Sequence, residues 1–284
     1  MKYKQNITRS RPWLVMMLSV IIAVRGDAVT KTEIKNSDAN EGMKPRTEMT
    51  IIALGAQPPR RYMDQPSGDG PVMMLAQPGK IPPATLYYQE KSASDEVAEW
   101  QSWSVALNSV SALKRISAGK VLTLYQKLPD FGGYQKYVSL PAADEGSRRV
   151  VFLTASSSGP RPWMQPPWVN IISLTSKNLL GKQLILKNLS RFTVLHAFGG
   201  EVASVAPMKT ISYKRAHAGE LYRIAAQYGR RQKIIYNTAV RLDGRGHTHI
   251  FALYNANPGT NSGRSVGVFR AIIPAAPITG EIYR

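Results

Sequence analysis

The stretch WSVALNSVSALKRISAGKVLTL, residues 103–124, is matched one hundred residues later by ASVAPMKTISYKRAHAGELYRI, residues 203–224. The two blocks align without a gap and share seven of 22 positions, including Lys-Arg and Ala-Gly at the same spacing. The apolar positions after Ala-Gly also match, since Val121 aligns with Leu221 and Leu124 with Ile224. Self-similarity at a fixed period predicts two copies of one folding unit.

The repeated block has the pattern of a β-meander. Ser-Val-Ala ends one short apolar run, and the next run ends at Lys-Arg. Ala-Gly then makes a turn, in which glycine takes a positive φ without a Cβ clash. Similar runs, rich in Val, Ile, Tyr and Phe, recur along both copies at a spacing of about ten residues, which predicts antiparallel strands in sandwiches. A single short helix is predicted over Asp95–Trp103, where acids occupy the first turn.

The limits of the copies follow from extending this alignment. One deletion places Val150-Val151-Phe152 on His249-Ile250-Phe251, and a last strand at 265–273 completes the second copy. We therefore expect an all-β protein with two tandem Ig-like β-sandwich units. The expected organisation is a signal peptide (1–28), a flexible Pro-rich lead-in (29–69), a first β-sandwich unit (70–157), a linker (158–167) and a second β-sandwich unit (168–284).

The N-terminus has the three parts of a secretory signal. Basic residues precede the apolar stretch Pro12–Val24, and Gly26 and Ala28 are small residues suited to cleavage after Ala28. Cleavage after Gly26 and an uncleaved signal anchor stay open as alternatives. The stretch is shorter than the ~20 residues that span a bilayer. We expect export to the periplasm, the cell surface or the medium, with membrane contact only through the signal peptide.

The lead-in is polar at first and then rich in proline. Seven prolines lie between Gln57 and Pro83. Proline lacks an amide donor, so this density excludes a long helix or a central strand there. Short strands are expected only at Met49–Leu54 and Val72–Ala76.

The second copy resembles the small tandem β-sandwich domains of uncharacterised bacterial exported proteins. The resemblance lies in NLSRFTVLHAFGGEVASVAPMKTISYKRAHAG, residues 188–219, which has an Asn-x-Ser strand, an Ala-Pro strand ending at Tyr213 and an Ala-Gly turn. The first copy departs from it where Leu107 replaces Pro207. The resemblance implies a fold and an exported location, and it implies no catalytic residue.

The composition excludes several chemistries. The chain has 284 residues, with 37 Lys and Arg against 18 Asp and Glu, a formal charge of +19 and no Cys. Without Cys there is no disulfide, zinc–thiolate site, iron–sulfur cluster or Cys nucleophile. The sequence also has no phosphate-binding loop, nucleophile elbow or metalloprotease helix. No cofactor is expected.

Candidate catalytic and metal-ligating residues are few. A glycosidase needs two facing carboxylates, and after residue 160 the candidates are Glu201, Glu220 and Asp243 in predicted turns. His247 and His249 would share one face of a strand, about 7 Å apart, which suits a metal. A third ligand is missing nearby, so they are weak metal candidates that we expect to face solvent on a strand.

The five tryptophans include two pairs that bear on the site. Trp163 and Trp168 flank the linker, where we expect them to pack between the copies, with stacking on a sugar ring as the alternative. Trp100 and Trp103 are expected in the core.

The positive charge concentrates in the second copy. Residues 161–284 hold 17 basic and 4 acidic groups, whereas residues 1–160 hold 20 and 14. Tyrosines lie between the basic residues, a pattern that can bind an anionic polymer. The candidate polyanion-binding residues are Arg223, Arg230, Arg231, Lys233, Arg241 and Arg245.

These observations predict a non-enzymatic envelope or extracellular binding or structural protein. Its expected partner is an anionic cell-envelope polymer or a protein rather than a specific nucleic acid. Two alternatives stay open: a hydrolytic or carbohydrate-active enzyme of unrecognised type, and a subunit of a surface assembly whose edge strands pair between chains.

Overall fold

Strands make up all the regular structure of the residues that the computed structural model describes. It describes residues 46–64, 70–74, 76–90, 98–128, 132–179, 182–214, 220–241, 246–256 and 266–275. The expected signal peptide lies outside the described residues. The strands are β1 (Arg46–Leu54), β2 (Arg61–Asp64), β3 (Pro71–Met74), β4 (Thr85–Glu90), β5 (Glu99–Ser104), β6 (Lys114–Ser117), β7 (Leu122–Lys127), β8 (Tyr134–Leu140), β9 (Arg148–Thr154), β10 (Trp168–Ser173), β11 (Leu184–Asn188), β12 (Val194–Phe198), β13 (Glu201–Val205), β14 (Thr210–Tyr213), β15 (Glu220–Tyr228), β16 (Arg231–Val240), β17 (Thr248–Asn255) and β18 (Val266–Ile273).

The fold is all-β, as the strand pattern predicts. Within the described ranges no helix has the length and apolar character that a membrane crossing requires. The predicted helix over Asp95–Trp103 is wrong for its described part, because β5 pairs with β4 in antiparallel register from Glu99 to Ser104. Acids at a helix start stabilise it only weakly, and pairing with β4 outweighs that preference.

The sheets of the two halves have the same strand order. We call β1 and β4–β10 the first unit and β11–β18 the second unit. The outer sheets run β5-β4-β7-β8 and β13-β12-β15-β16, and the inner sheets run β10-β9-β1-β6 and β18-β17-β11-β14. Each inner sheet contains one parallel pair, β1 with β9 and β11 with β17. The hairpin β2–β3 stands apart from these four sheets.

Irregular backbone features also recur one hundred residues apart. The pairing of β7 shifts register between Leu124 and Tyr125, and that of β15 shifts between Ile224 and Ala225. The two non-glycine residues with positive φ in the described chain are Asn108, at 53°, and Met208, at 64°. Bulges and left-handed residues are local features. Their recurrence at equivalent positions therefore supports a structural correspondence between the two units.

Three hydrophobic cores fill the spaces between the four sheets. Along β1, Ile51 and Ala53 belong to the first core, and Ile52 and Leu54 belong to a middle core that also contains residues of β11, β17 and β18. A second core lies between the inner and outer sheets of the second unit. The inner sheets are therefore buried on both faces, and the two units share the middle core.

This packing corrects the predicted start of the first unit. The strand predicted at Met49–Leu54 is confirmed, but it belongs to β1, a strand of the first inner sheet, whereas the expected lead-in runs to residue 69. The first unit therefore begins by Arg46. The cause is burial, since β1 pairs with β9 on one side and β6 on the other, and Ile51 and Ile52 are fully buried.

The structure also corrects the alignment of β9 with β17. Val150 and Phe152 face the middle core, as do Ile250 and Ala252. Aligning Phe152 with Phe251 would place it on a residue of the second core. A one-residue slip exchanges the two faces of a strand, so an offset of one hundred, without the predicted deletion, preserves the faces of β9 and β17.

Candidate functional site

The basic residues predicted to bind a polyanion lie on both faces and at both ends of the β15–β16 hairpin. Arg223 lies opposite Asn237 on the outward face, with its Nε 3.4 Å from the Asn237 Oδ1. Lys233 lies opposite Ala226, whose side chain is buried in the second core. Directly opposed residues share a face, so Arg223 and Lys233 are on different faces.

The remaining basic candidates are separated along the hairpin. Arg230 lies in the turn before Arg231, and Arg241 follows the other end of β16. Ten strand residues span about 33 Å. Arg245 lies outside the described residues. The structure therefore does not bring this set together into one patch.

The candidate metal ligands have other surroundings. His249 is 2% exposed, contrary to the expected solvent-facing position, and its Nδ1 accepts a hydrogen bond from the Arg270 guanidinium at 2.8 Å. His247 lies half-buried just before β17. Among the described residues, no group of three His, Asp or Glu side chains could hold a metal ion.

Two of the candidate carboxylates lie at one end of the second outer sheet. Glu201 begins β13, directly after the Gly199–Gly200 turn, and the Glu220 carboxylate lies 2.9 Å from where a Cβ on Gly199 would be. Asp243 lies outside the described residues. Neither Glu201 nor Glu220 lines the groove or the cleft described below.

An aromatic cluster that the sequence analysis missed covers the outward face of the first outer sheet. Each of its four strands contributes one ring, and we call the four the aromatic face: Tyr87 (β4), Trp100 (β5), Tyr125 (β7) and Tyr134 (β8). Trp100 stacks on Tyr134 with ring centroids 3.8 Å apart and an interplanar angle of 17°. The Tyr125 ring meets Trp100 edge-on at 5.1 Å, and the Tyr87 ring meets Tyr134 in the same way at 5.1 Å.

Strand alternation explains why these rings point outward. On β5, Trp103 is fully buried in the first core, whereas Trp100, three residues earlier, is 37% exposed. Residues three apart on a strand face opposite sides. The expectation that both tryptophans are core is therefore right for Trp103 and wrong for Trp100.

Two lysines share the aromatic face. Lys136 lies opposite Tyr125, and Lys127 lies opposite Tyr134, both exposed. On the opposite face of the same two strands, the Gln126 Nε2 donates to the Gln135 Oε1 at 3.1 Å. The face thus combines flat apolar rings with two positive charges.

A groove of about 670 Å³ borders the aromatic face. Tyr87 and Lys127 belong to both, and Arg161 adds a further positive charge to the groove wall. Its other walls include Pro82, Pro83 and Met164, and in the part of the chain that the structure describes its lining contains no carboxylate. A long ligand lying over the rings would therefore extend into a positively charged channel.

The sequence contains a signal that could have revealed this site. Each strand of the first outer sheet has an aromatic residue and a polar residue two positions later, hence on the same face. These pairs are Tyr87 with Gln89, Trp100 with Ser102, Tyr125 with Lys127, and Tyr134 with Lys136. The excess of positive charge in the second unit does not reveal this site. Net charge carries no information on which residues share a face of a sheet.

Comparison with known proteins leaves the site to be interpreted from its own chemistry, since no protein-family model and no curated protein matches the chain.

Proposed function

We propose that this protein is a non-enzymatic binding protein, exported from the cell, that holds an anionic glycan on the aromatic face of the first unit. The stacked and edge-on rings that span all four strands of one exposed sheet face carry this proposal. Sugar rings present flat C–H surfaces that pack well on aromatic side chains, which have a large apolar body.

The charge around the rings favours an acidic sugar over a neutral one. Lys127 and Lys136 share the outward face with the tyrosines opposite them, and Arg161 lines the adjoining groove. Uronate carboxylates or phosphate groups along a glycan would meet these cations while its rings lie on Trp100 and Tyr125. Partial exposure weakens each ionic contact, so the rings supply most of the affinity and the cations supply selectivity.

A hydrolytic function has less support. Glu201 and Glu220 lie at one end of the other outer sheet, and the described residues that line the groove beside the aromatic face include no carboxylate. A glycosidase needs a proton donor and a second carboxylate on either side of the scissile bond. The aromatic face therefore favours retention of a glycan without cleavage.

The test compares two polymers that differ only in charge. Binding of polygalacturonate and of fully methyl-esterified polygalacturonate is measured by affinity electrophoresis and calorimetry. We expect the acidic polymer to bind more tightly. Trp100→Ala should weaken both polymers about tenfold because it removes the central ring. The Lys127→Ser, Lys136→Ser double variant should weaken only the acidic polymer.

A matched control separates a local site from general charge. The Arg231→Ser, Lys233→Ser double variant removes the same charge from the second unit and should change binding of the acidic polymer by less than half as much. Equal losses in the two double variants would contradict a site on the first unit. Unchanged binding in Trp100→Ala would contradict a role for the rings.

A further inference from the structure

A second cavity lies where the two inner sheets end, and it is distinct from the aromatic face. This junction cleft has a volume of about 340 Å³, within the range of about 300–1,000 Å³ that small-molecule sites occupy. Leu54, Thr154, Leu189 and Tyr254 line it at the carboxyl ends of β1, β9, β11 and β17. The cleft is therefore the open end of the middle core.

The walls of the cleft are mostly apolar and include one exposed indole. Trp168, at the start of β10, is 64% exposed and lies opposite Thr154. Trp163 is buried and also borders the cleft. Both linker tryptophans were expected to pack between the copies, but Trp163 packs in the first core and Trp168 presents its ring to the cleft.

The Tyr254 ring packs closely against β18 at the cleft wall. That ring lies directly over Gly267, where a Cβ would approach the ring carbon Cζ to 2.5 Å. The absence of a side chain at Gly267 lets the ring lie flat against β18. Opposite it, the Asn108 side chain bonds both the amide and the carbonyl of Gly55, at 3.1 and 2.9 Å, and fixes the other rim.

The charge in the cleft has one sign. Among the described residues that line it, Lys80 is the single charged one and none is a carboxylate. Lys80 is half-buried and lines the cleft together with Pro58 and Pro59. A cation at the edge of an apolar cleft favours a ligand with an apolar or aromatic body and a single acidic group.

We propose that the junction cleft binds a small amphipathic anion, with its ring or acyl body against Trp168 and Leu54 and its acidic group on Lys80. The cleft is separate from the aromatic face, so a result that contradicts one proposal leaves the other unaffected. A hydrogen bond to a charged group is among the stronger polar contacts, which makes Lys80 the main determinant of selectivity.

The experiment uses 2-naphthoate and its neutral analogue 2-naphthalenemethanol as probes, with affinity measured by calorimetry on the full chain. We expect 2-naphthoate to bind more tightly. Lys80→Met should weaken 2-naphthoate about tenfold and leave the neutral probe unchanged. Trp168→Ala should weaken both probes, and this exposed position can be changed without loss of the fold.

Trp100→Ala is the control, and it should leave both affinities unchanged. The proposal is overturned if Lys80→Met does not alter 2-naphthoate affinity, or if wild-type protein binds neither probe. It is also overturned if Trp100→Ala weakens 2-naphthoate as much as Trp168→Ala does, because the probe would then lie on the aromatic face.

Discussion

The outward faces of the two outer sheets differ in chemistry although their strand order is the same. On the first, aromatic rings and lysines cover the four strands. On the second, exposed aliphatic residues take their place, with Val202 72%, Leu221 50% and Ile234 55% exposed. The shared bulge makes Tyr125 and Ala225 equivalent, so an aromatic ring in one unit corresponds to a methyl group in the other.

The inward faces of the two outer sheets are alike. Leu124 and Ile224, one hundred residues apart, are both fully buried in their respective cores. Side chains at core positions must fill a fixed volume, whereas side chains at outward positions contact only solvent or ligands. The difference between the units therefore lies where binding is possible, and the following changes test that division.

The largest expected effect separates the two tryptophans of β5. Trp103→Ala should lower the free energy of unfolding by about 3–5 kcal/mol, because it leaves a large cavity in the first core. It also removes indole hydrogen bonds to the Ser111 Oγ and the Ala112 carbonyl, at 3.0 and 3.1 Å. Trp100→Ala, on the outward face, should cost less than about 1 kcal/mol. Urea unfolding measures both, and equal losses would refute the assignment of faces.

The next effect tests the contact between the units. Arg148, 5% exposed on β9, donates to the Glu48 carboxylate and to the carbonyl of Pro274, just after β18. Arg148→Met should cost about 3 kcal/mol because it leaves Glu48 without its buried partner. Arg115 bonds the same carboxylate at 3.2 Å but is 63% exposed, so Arg115→Met should cost under about 1 kcal/mol. Similar losses would mean that burial does not set the strength of this ion pair.

The same carboxylate gives the stability of the first unit a pH dependence. Burial raises the pKa of Glu48, but hydrogen bonds and charge from Arg148 and Arg115 outweigh it and hold the pKa below its ordinary value of 4.5. The unfolded state therefore takes up a proton first as the pH falls. This stabilisation is complete above pH 4.5 and is lost below it, and Arg148→Met should remove most of that dependence.

A smaller effect distinguishes the cores of the two units. All four histidines lie after residue 195, and His196 is buried beside Tyr213, whose hydroxyl lies 3.1 Å from the His196 Nε2. Burial lowers the pKa of His196 below its ordinary value of 6.5, although the charge of Glu201 partly opposes this. The folded state thus keeps the imidazole neutral, and its contribution to stability, present above pH 6.5, is lost as the pH falls toward the lowered pKa.

Urea unfolding at pH 7.5 and pH 5.5 measures this effect. Wild-type protein should lose about 1 kcal/mol more than His196→Phe between the two values. Tyr213→Phe is the control, since it removes the hydrogen bond and keeps the titrating group, and it should behave like the wild type. An equal loss in His196→Phe would assign the pH dependence to another group.

The fold class and most strand positions could be predicted from short apolar runs, but the layering could not. Strands of the inner sheets are apolar at consecutive positions, as in Ile51–Leu54 and Val150–Leu153, which is typical of sheets covered on both faces. Those runs contained the signal for the middle core. Polar and proline-rich residues around β1 obscured it, since composition averaged over a segment conceals a short buried strand.

The site was harder to predict because it depends on which residues meet across strands. Tyr134 and Trp100 are 34 residues apart in sequence, and only pairing through β4 and β7 brings the rings into contact. The basic set in the second unit is close in sequence and yet divided between two faces and two ends of a hairpin. Proximity in sequence was a poor guide in both cases, and strand alternation a better one.

The smallest expected effect concerns the bend that both units share. Asn108 and Met208 adopt the same left-handed conformation, and the amide of each donates at 2.7 Å to the end of the first strand of its inner sheet, at Ala53 and Asn188. Asparagine adopts a positive φ at a lower cost than methionine does. Met208 is 52% exposed, so Met208→Asn removes little packing and should raise stability by about 0.5 kcal/mol through relief of strain. Met208→Leu keeps the strain and should leave stability unchanged in the same urea titration. A loss of stability in Met208→Asn would mean that the methionine side chain stabilises the second unit more than its backbone strain costs.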